Sequence, residues 1–102
     1  MALNTKSLAD GTLSNSQAEL YKVPSGSRAA INQVFLHNTN STSETVSLYI
    51  KRGAGTARKF RQFILGADES GKIDTTIMLS SEDSILGDTT SSCNYVIAGG
   101  EG

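Results

Sequence analysis

The sequence predicts a small all-β domain, an antiparallel β-sandwich or a jelly-roll-like barrel. About seven short runs of β-forming residues are separated by turn residues, and no run has the 3.6-residue period of a helix. The chain has 102 residues, enough for one domain. Only 37% of them are hydrophobic and none is Trp, so we expect a thin, mainly aliphatic core.

The first segment, residues 1–16, is polar except for Leu3, Leu8 and Leu13. Their five-residue spacing matches neither a helical stripe nor the alternation of a strand. We interpret residues 1–16 as an extended N-terminal arm that precedes a single β-sandwich domain at residues 17–102. Because leucines on a free arm need an apolar environment, we expect these three to bind a neighbouring protein.

The β-runs of the domain end at recognisable turn signals, such as Pro24-Ser25-Gly26 and Gly53-Ala54-Gly55. Seven strands are predicted, at residues 18–23, 28–36, 44–52, 58–65, 72–79, 83–86 and 92–98. Apolar and polar residues alternate through 46–51, the pattern of a half-buried strand. We expect the core to include Val46, Leu48, Ile50, Ile77 and Leu79.

The sequence offers little material for catalysis or metal binding. His37 is the only histidine and lies in a predicted polar loop, so we interpret it as a solvated turn residue, although it could act as a base. Glu82 and Asp83 point to opposite sides of an extended chain and suit a turn better than a shared site. Cys93 has apolar neighbours and is expected to be a buried, inert thiol. We therefore expect no catalytic residues, no metal site, no cofactor and no enzymatic activity.

A basic cluster surrounds the Gly53–Gly55 turn and consists of Lys51, Arg52, Arg58, Lys59 and Arg61. One interpretation is that these charges protect an edge strand from unwanted pairing. The other is a partner-binding surface, formed by Arg52, Arg58, Lys59 and Arg61, for an acidic protein or a neighbouring subunit. The net charge of −1 argues against a nucleic-acid partner.

Residues 1–13 lack the basic and apolar regions of a signal peptide, and no apolar run approaches the ~20 residues of a membrane span. We therefore expect synthesis in a cytoplasm and no membrane partner.

Several strand-and-turn motifs occur in a recognisable order. They are ADGTL at 9–13, LYKVPSG at 20–26, VFLHNTN at 34–40, VSLYI at 46–50, ILG at 85–87 and YVIAG at 95–99. Together they resemble small virion structural proteins of tailed bacteriophages, from about Ala9 to Glu101. The resemblance implies a β-sandwich that attaches to a capsid or tail, commonly as a trimer in decoration (cement) proteins, and it supplies no catalytic residues.

The resemblance and the lack of a catalytic site together favour a capsid decoration protein that stabilises the phage head. Its expected partners are the major capsid protein or other virion proteins and further copies of itself, with a trimer favoured. Its expected location is the virion, after synthesis in the host cytoplasm. Two alternatives stay open: a tail or head–tail joining component, and a carbohydrate- or receptor-binding β-module.

Overall fold

A computed structural model describes the backbone of residues 4–102 and the side chains of residues 7–74 and 76–102. This part of the chain contains eight β-strands and no helix, so the predicted all-β sandwich is confirmed. The strands are β1 (Asn4–Leu13), β2 (Ala18–Lys22), β3 (Ala29–His37), β4 (Glu44–Lys51), β5 (Arg58–Leu65), β6 (Ser70–Leu79), β7 (Ser84–Thr89) and β8 (Cys93–Glu101). Seven of them correspond to the predicted strands, and β1 is additional.

The strands form two four-stranded sheets in which every paired neighbour is antiparallel. Sheet A has the order β1-β8-β3-β6, and sheet B has the order β2-β7-β4-β5. In the described residues, every connection between consecutive strands crosses from one sheet to the other, except the β4–β5 hairpin. This order is jelly-roll-like. The open edges of the sandwich are β1 and β6 in sheet A and β2 and β5 in sheet B.

The N-terminal segment corrects the prediction of a separate arm. Residues 4–13 form an edge strand of sheet A that pairs with β8 from Asn4 opposite Glu101 to Leu13 opposite Cys93. A register shift between Ser7 and Ala9 explains why alternation was hidden in the sequence. Residues five positions apart face opposite sides of a regular strand, and one bulge brings them back to the same side.

The leucines of this segment therefore belong to the domain's own core. Leu13 is 1% exposed, and Leu8 packs against the core as a partly buried residue. Leu13 is thus unavailable to the neighbouring protein that the sequence suggested, because sheet B already covers it. Leu3 lies outside the described residues.

The core lies between the inner faces of the two sheets and is aliphatic, as expected. Its largest fully buried apolar side chains are Leu13, Ile31, Leu48, Leu79, Ile85 and Ile97. Of the five predicted core residues, Val46, Leu48 and Leu79 are buried, and Ile50 and Ile77 pack against the core from its margin. Gly99 lets β3 and β8 approach closely, since a Cβ there would lie 2.0 Å from the Ala30 carbonyl oxygen.

Two buried polar side chains hold the connections between the sheets. Asn38 Nδ2 donates hydrogen bonds to the carbonyl oxygens of Thr42, Leu65 and Gly66, which joins the β3–β4 loop to the β5–β6 turn. Glu44, 1% exposed, lies at the start of β4 and accepts from the β7–β8 connection. Its donors are Thr89 Oγ1 and the backbone N–H groups of Ser91 and Ser92, at 2.7–3.0 Å.

Asp83 performs the same task at the opposite end of the sandwich, between the β6–β7 turn and the β4–β5 hairpin. Its carboxylate accepts from the N–H groups of Ser80 and Gly53 and from Arg52 Nη1, each at 2.9 Å. Burial alone would raise the pKa of Asp83, but these hydrogen bonds and the Arg52 charge together hold it below the ordinary value. The sequence interpretation of Asp83 as a turn-capping residue agrees with this position.

Tyr21 connects the two sheets directly. Its hydroxyl on β2 donates a hydrogen bond to Glu101 Oε2 on β8. Burial, reinforced by the Glu101 hydrogen bond and charge, raises the pKa of Tyr21 well above its ordinary value. The phenol therefore remains a donor over the whole physiological pH range.

Truncating Leu13 tests whether β1 is integral to the sandwich. Leu13→Ala should lower the free energy of unfolding by about 2–5 kcal/mol, the usual cost of a buried Leu-to-Ala change, measured by urea titration. Ile64→Ala is the control, because Ile64 is 68% exposed on a strand and should change stability by roughly 0.5 kcal/mol. If Leu13→Ala costs no more than the control, residues 4–13 do not form part of the folded core.

Acid unfolding tests Asp83. A carboxyl whose folded-state pKa is lowered stabilises the fold above its unfolded pKa of about 3.9 and loses that contribution as pH falls through the lower folded value. Asp83→Asn should cost about 1.5–3 kcal/mol at pH 7, and the difference from wild type should shrink below about pH 4. Glu19→Gln, at an exposed position on β2, should change stability by no more than roughly 0.5 kcal/mol. A pH-independent difference for Asp83→Asn would contradict the assigned role.

Candidate functional site

The predicted basic cluster is assembled around the β4–β5 hairpin, and β5 is an edge strand of sheet B. Arg58, Lys59 and Arg61 all lie on β5 and are exposed. A register shift between Leu48 and Tyr49 divides them: Arg61 lies opposite Leu48 and Arg58 opposite Ile50, whereas Lys59 lies opposite Tyr49. The cluster therefore forms an edge with charges on both sides rather than a single flat face.

Arg52 differs from the other three because it is part of the fold. Its Nη1 donates 2.8 Å and 2.9 Å hydrogen bonds to the Met78 carbonyl oxygen and to Asp83 Oδ2. These bonds tie the hairpin to the β6–β7 turn, so substitution of Arg52 would disturb the structure as well as any docking surface. The basic docking candidates are therefore Arg58, Lys59 and Arg61, which we call the β5 basic edge.

The three side chains of the β5 basic edge are held to different degrees. Lys59 Nζ lies 5.9 Å from the centre of the Tyr49 ring and donates a 2.6 Å hydrogen bond to Gln62 Oε1. Within the described part of the chain, neither the Arg58 nor the Arg61 side chain has a hydrogen bond or an ion pair. Two guanidinium groups thus remain available for carboxylates of another molecule.

His37 is more ordered than the solvated turn residue that the sequence predicted. It is the last residue of β3, and its Nδ1 and Nε2 lie 2.6 Å from Ser70 Oγ and 3.1 Å from Asp68 Oδ1. The three residue types match a catalytic triad, but the Asp68 side chain is 87% exposed, so solvent weakens its hold on the imidazole. We assign the group a structural role, closing the β5–β6 turn against β3.

Cys93 is fully buried and its Sγ lies 3.2 Å from the His37 carbonyl oxygen, in agreement with the predicted inert thiol. Burial raises the pKa of this thiol, which keeps it in the unreactive protonated form. Among the described residues, no group of three or more His, Cys, Asp and Glu side chains could hold a metal ion. No helix in residues 4–102 is long and apolar enough to span a membrane.

The outer face of sheet A carries an apolar surface that the sequence analysis did not identify. Phe35 on β3 and Val96 on β8 are direct cross-strand neighbours and are 37% and 39% exposed. A shallow concavity of about 360 Å³ lies beside them and extends to His37 and Lys72. The sequence contained a signal: Val34-Phe35-Leu36 and Tyr95-Val96-Ile97 are each three large residues in succession, and on a strand the middle one faces away from its neighbours.

Comparison with known proteins gives a likeness in fold only. No protein-family model and no curated protein matches the chain. Among solved structures, a chain in the structure of infectious bursal disease virus, Gx strain, superposes with a TM-score of 0.50 at 13% sequence identity. The match covers 94% of this chain and 32% of the viral chain, so this sandwich is similar in fold to about a third of a chain from a virus structure.

Proposed function

We propose that this chain is a non-enzymatic structural protein of a virion, and more specifically a decoration protein on the head of a tailed bacteriophage. The observation that carries the proposal is the eight-stranded jelly-roll-like sandwich. In the superposition, 94% of this chain matches about a third of the viral chain. The motif order of the sequence points to the same class of protein. The phage head is inferred from the resemblance of the sequence motifs to small virion proteins of tailed bacteriophages. The same resemblance implies that the protein assembles as a trimer.

The side chains of the sandwich are consistent with a structural role. The polar groups that sequence reasoning considered for chemistry serve the fold instead: Asp83 joins two turns, and His37 closes a third. The domain has two surfaces that could bind other molecules, the β5 basic edge and the apolar outer face of sheet A. Binding through such surfaces is what attachment to a shell requires.

We further propose that the β5 basic edge contacts an acidic surface of the major capsid protein or another virion protein. An exposed edge strand presents unpaired backbone groups, and the unpaired guanidinium groups of Arg58 and Arg61 flank them. Edge protection is the competing explanation for the same charges. The two explanations differ in what a charge reversal does to attachment.

The virion location is tested on particles of the phage that encodes the chain. Immunogold labelling of purified particles with antibodies against this protein should decorate the head. Labelling confined to the tail would make the tail or head–tail joining role correct. Particles that contain no copy of the chain by mass spectrometry would overturn the virion proposal altogether.

The β5 basic edge is tested by reversing its unpaired charges. Arg58→Glu/Arg61→Glu should weaken attachment of the purified protein to particles that lack it, because attraction to carboxylates becomes repulsion. The remaining binding should depend less on salt, since exposed charges act over a Debye length of about 8–10 Å. Co-sedimentation at several salt concentrations measures both effects.

The control is Lys22→Glu, which reverses an exposed charge on β2, at the opposite edge of sheet B. Unlike Arg58 and Arg61, Lys22 is ion-paired, with its Nζ 3.1 Å from Glu82 Oε2. Its attachment should remain near that of wild type. If the Arg58 and Arg61 variant attaches normally but aggregates when free, edge protection is the correct explanation of the cluster.

A further inference from the structure

The outer face of sheet A has a regular composition that strand register makes explicit. Cross-strand neighbours share a face, so its side chains form rows running from β1 through β8 and β3 to β6. The row at one end contains Gly100, Ala30 and the exposed Met78. Three further rows have all four side chains described. The rows are Thr12, Asn94, His37 and Ser70; then Asp10, Val96, Phe35 and Lys72; then Ser7, Ala98, Gln33 and Asp74. All twelve are exposed or half-exposed. The middle row has an acid at one end, a base at the other and two apolar residues between them. The base, Lys72, also forms an exposed ion pair within its own chain, with Nζ 3.4 Å from Asp74 Oδ2.

This middle row is complementary to itself when reversed. If two copies face each other about a two-fold axis parallel to the strands and between β8 and β3, each residue meets the one at the mirrored place in the row. Asp10 then meets the partner copy's Lys72, and Val96 meets its Phe35. Each contact occurs twice, as in every isologous interface.

The two outer rows agree with the same arrangement. Asn94 would meet His37 and Ser7 would meet Asp74, so neither row places like charges against each other. An axis perpendicular to the strands through the middle row would instead place Asp10 on Asp10 and Lys72 on Lys72, which is repulsive.

We propose that this face binds a second copy of the chain, sheet A against sheet A, with the two-fold axis parallel to the strands. Aligned packing of two sheets is a common arrangement in β-proteins. The inference does not depend on the proposed virion location, and it is an alternative to the trimer that the resemblance implies. A trimer would need a different, head-to-tail contact, so measurement of mass separates the two assemblies.

The size of the face indicates how strong the contact is. Four strands about 4.8 Å apart and three rows about 6.8 Å apart give roughly 400 Å² per copy. The total of about 800 Å² is below the 1,200–2,000 Å² of stable complexes. We therefore expect a dimer with a dissociation constant in the micromolar to millimolar range, favoured where copies are concentrated.

Charge exchange tests the proposal on the purified full-length chain. By sedimentation equilibrium over a concentration series, the wild-type mass should rise from that of one 10.8 kDa chain towards two. Lys72→Glu and Asp10→Lys should each weaken association roughly tenfold, because two attractive contacts become repulsive. The double variant Asp10→Lys/Lys72→Glu should restore it, since the exchanged charges again meet as opposites.

Two further variants complete the test. Phe35→Ser should abolish association, and Lys22→Glu, on sheet B, should leave it unchanged. Circular dichroism checks that each variant keeps the β-spectrum, and the rescue by double exchange is independent of any loss of stability at Phe35. Wild type that stays monomeric, a mass of three chains, or a double variant that fails to recover association would each overturn the proposal.

Discussion

The structure depends on one constraint: nearly every connection in the described chain must cross from one sheet to the other. A crossing loop leaves the hydrogen-bonded ladders, so its backbone groups need other partners, and its ends must be fixed for the sheets to stay in register. Asn38, Glu44 and Asp83 meet both needs from buried positions. Each accepts or donates several bonds to a connection that is distant in the chain, so that a few polar side chains define how the two sheets face each other.

The hydrophobic core, by contrast, is built from side chains of moderate size. The interior is built mainly from Leu, Ile and Val, and the chain has no Trp. At Gly99 there is no space even for a Cβ, because β3 passes too close. Meanwhile Phe35 and Val96 lie on the outer face of sheet A, where they contribute little to the interior. A chain that has few large apolar residues and still exposes Phe35, Ile64, Met78 and Val96 has surfaces suited to contact with another protein.

Much of the fold could be predicted from the sequence, because alternation and turn residues are local signals. Strands β2 to β8 follow them closely, as at Val46, Leu48 and Leu79. Strand β1 was missed because its bulge breaks the alternation between Leu8 and Leu13. The partners of His37 and Asp83 could not be predicted, because Ser70 and Gly53 are about thirty positions away and only the sheet topology brings them near.

The sequence located the basic cluster, but it did not distinguish the contacts that its members make. Its position beside a hairpin followed from the Gly53–Gly55 turn, and β5 is an edge strand, as one of the two interpretations required. The division between Arg52, which binds Asp83, and the unpaired Arg58 and Arg61 had no sequence signal. All three arginines lie near one turn, and only tertiary contacts distinguish them.

The pairing of β1 with β8 has a consequence for how the molecule folds. Sheet A cannot be completed until the strands nearest the two ends of the sequence meet, with Leu13 beside Cys93, and such non-local pairing places a domain among the slower folders, in the millisecond-to-second range. During synthesis, β1 leaves the ribosome long before its partner exists. Until β8 emerges, the backbone groups of β1 and the Leu13 side chain are open to other chains, so the nascent protein is exposed to aggregation over that interval.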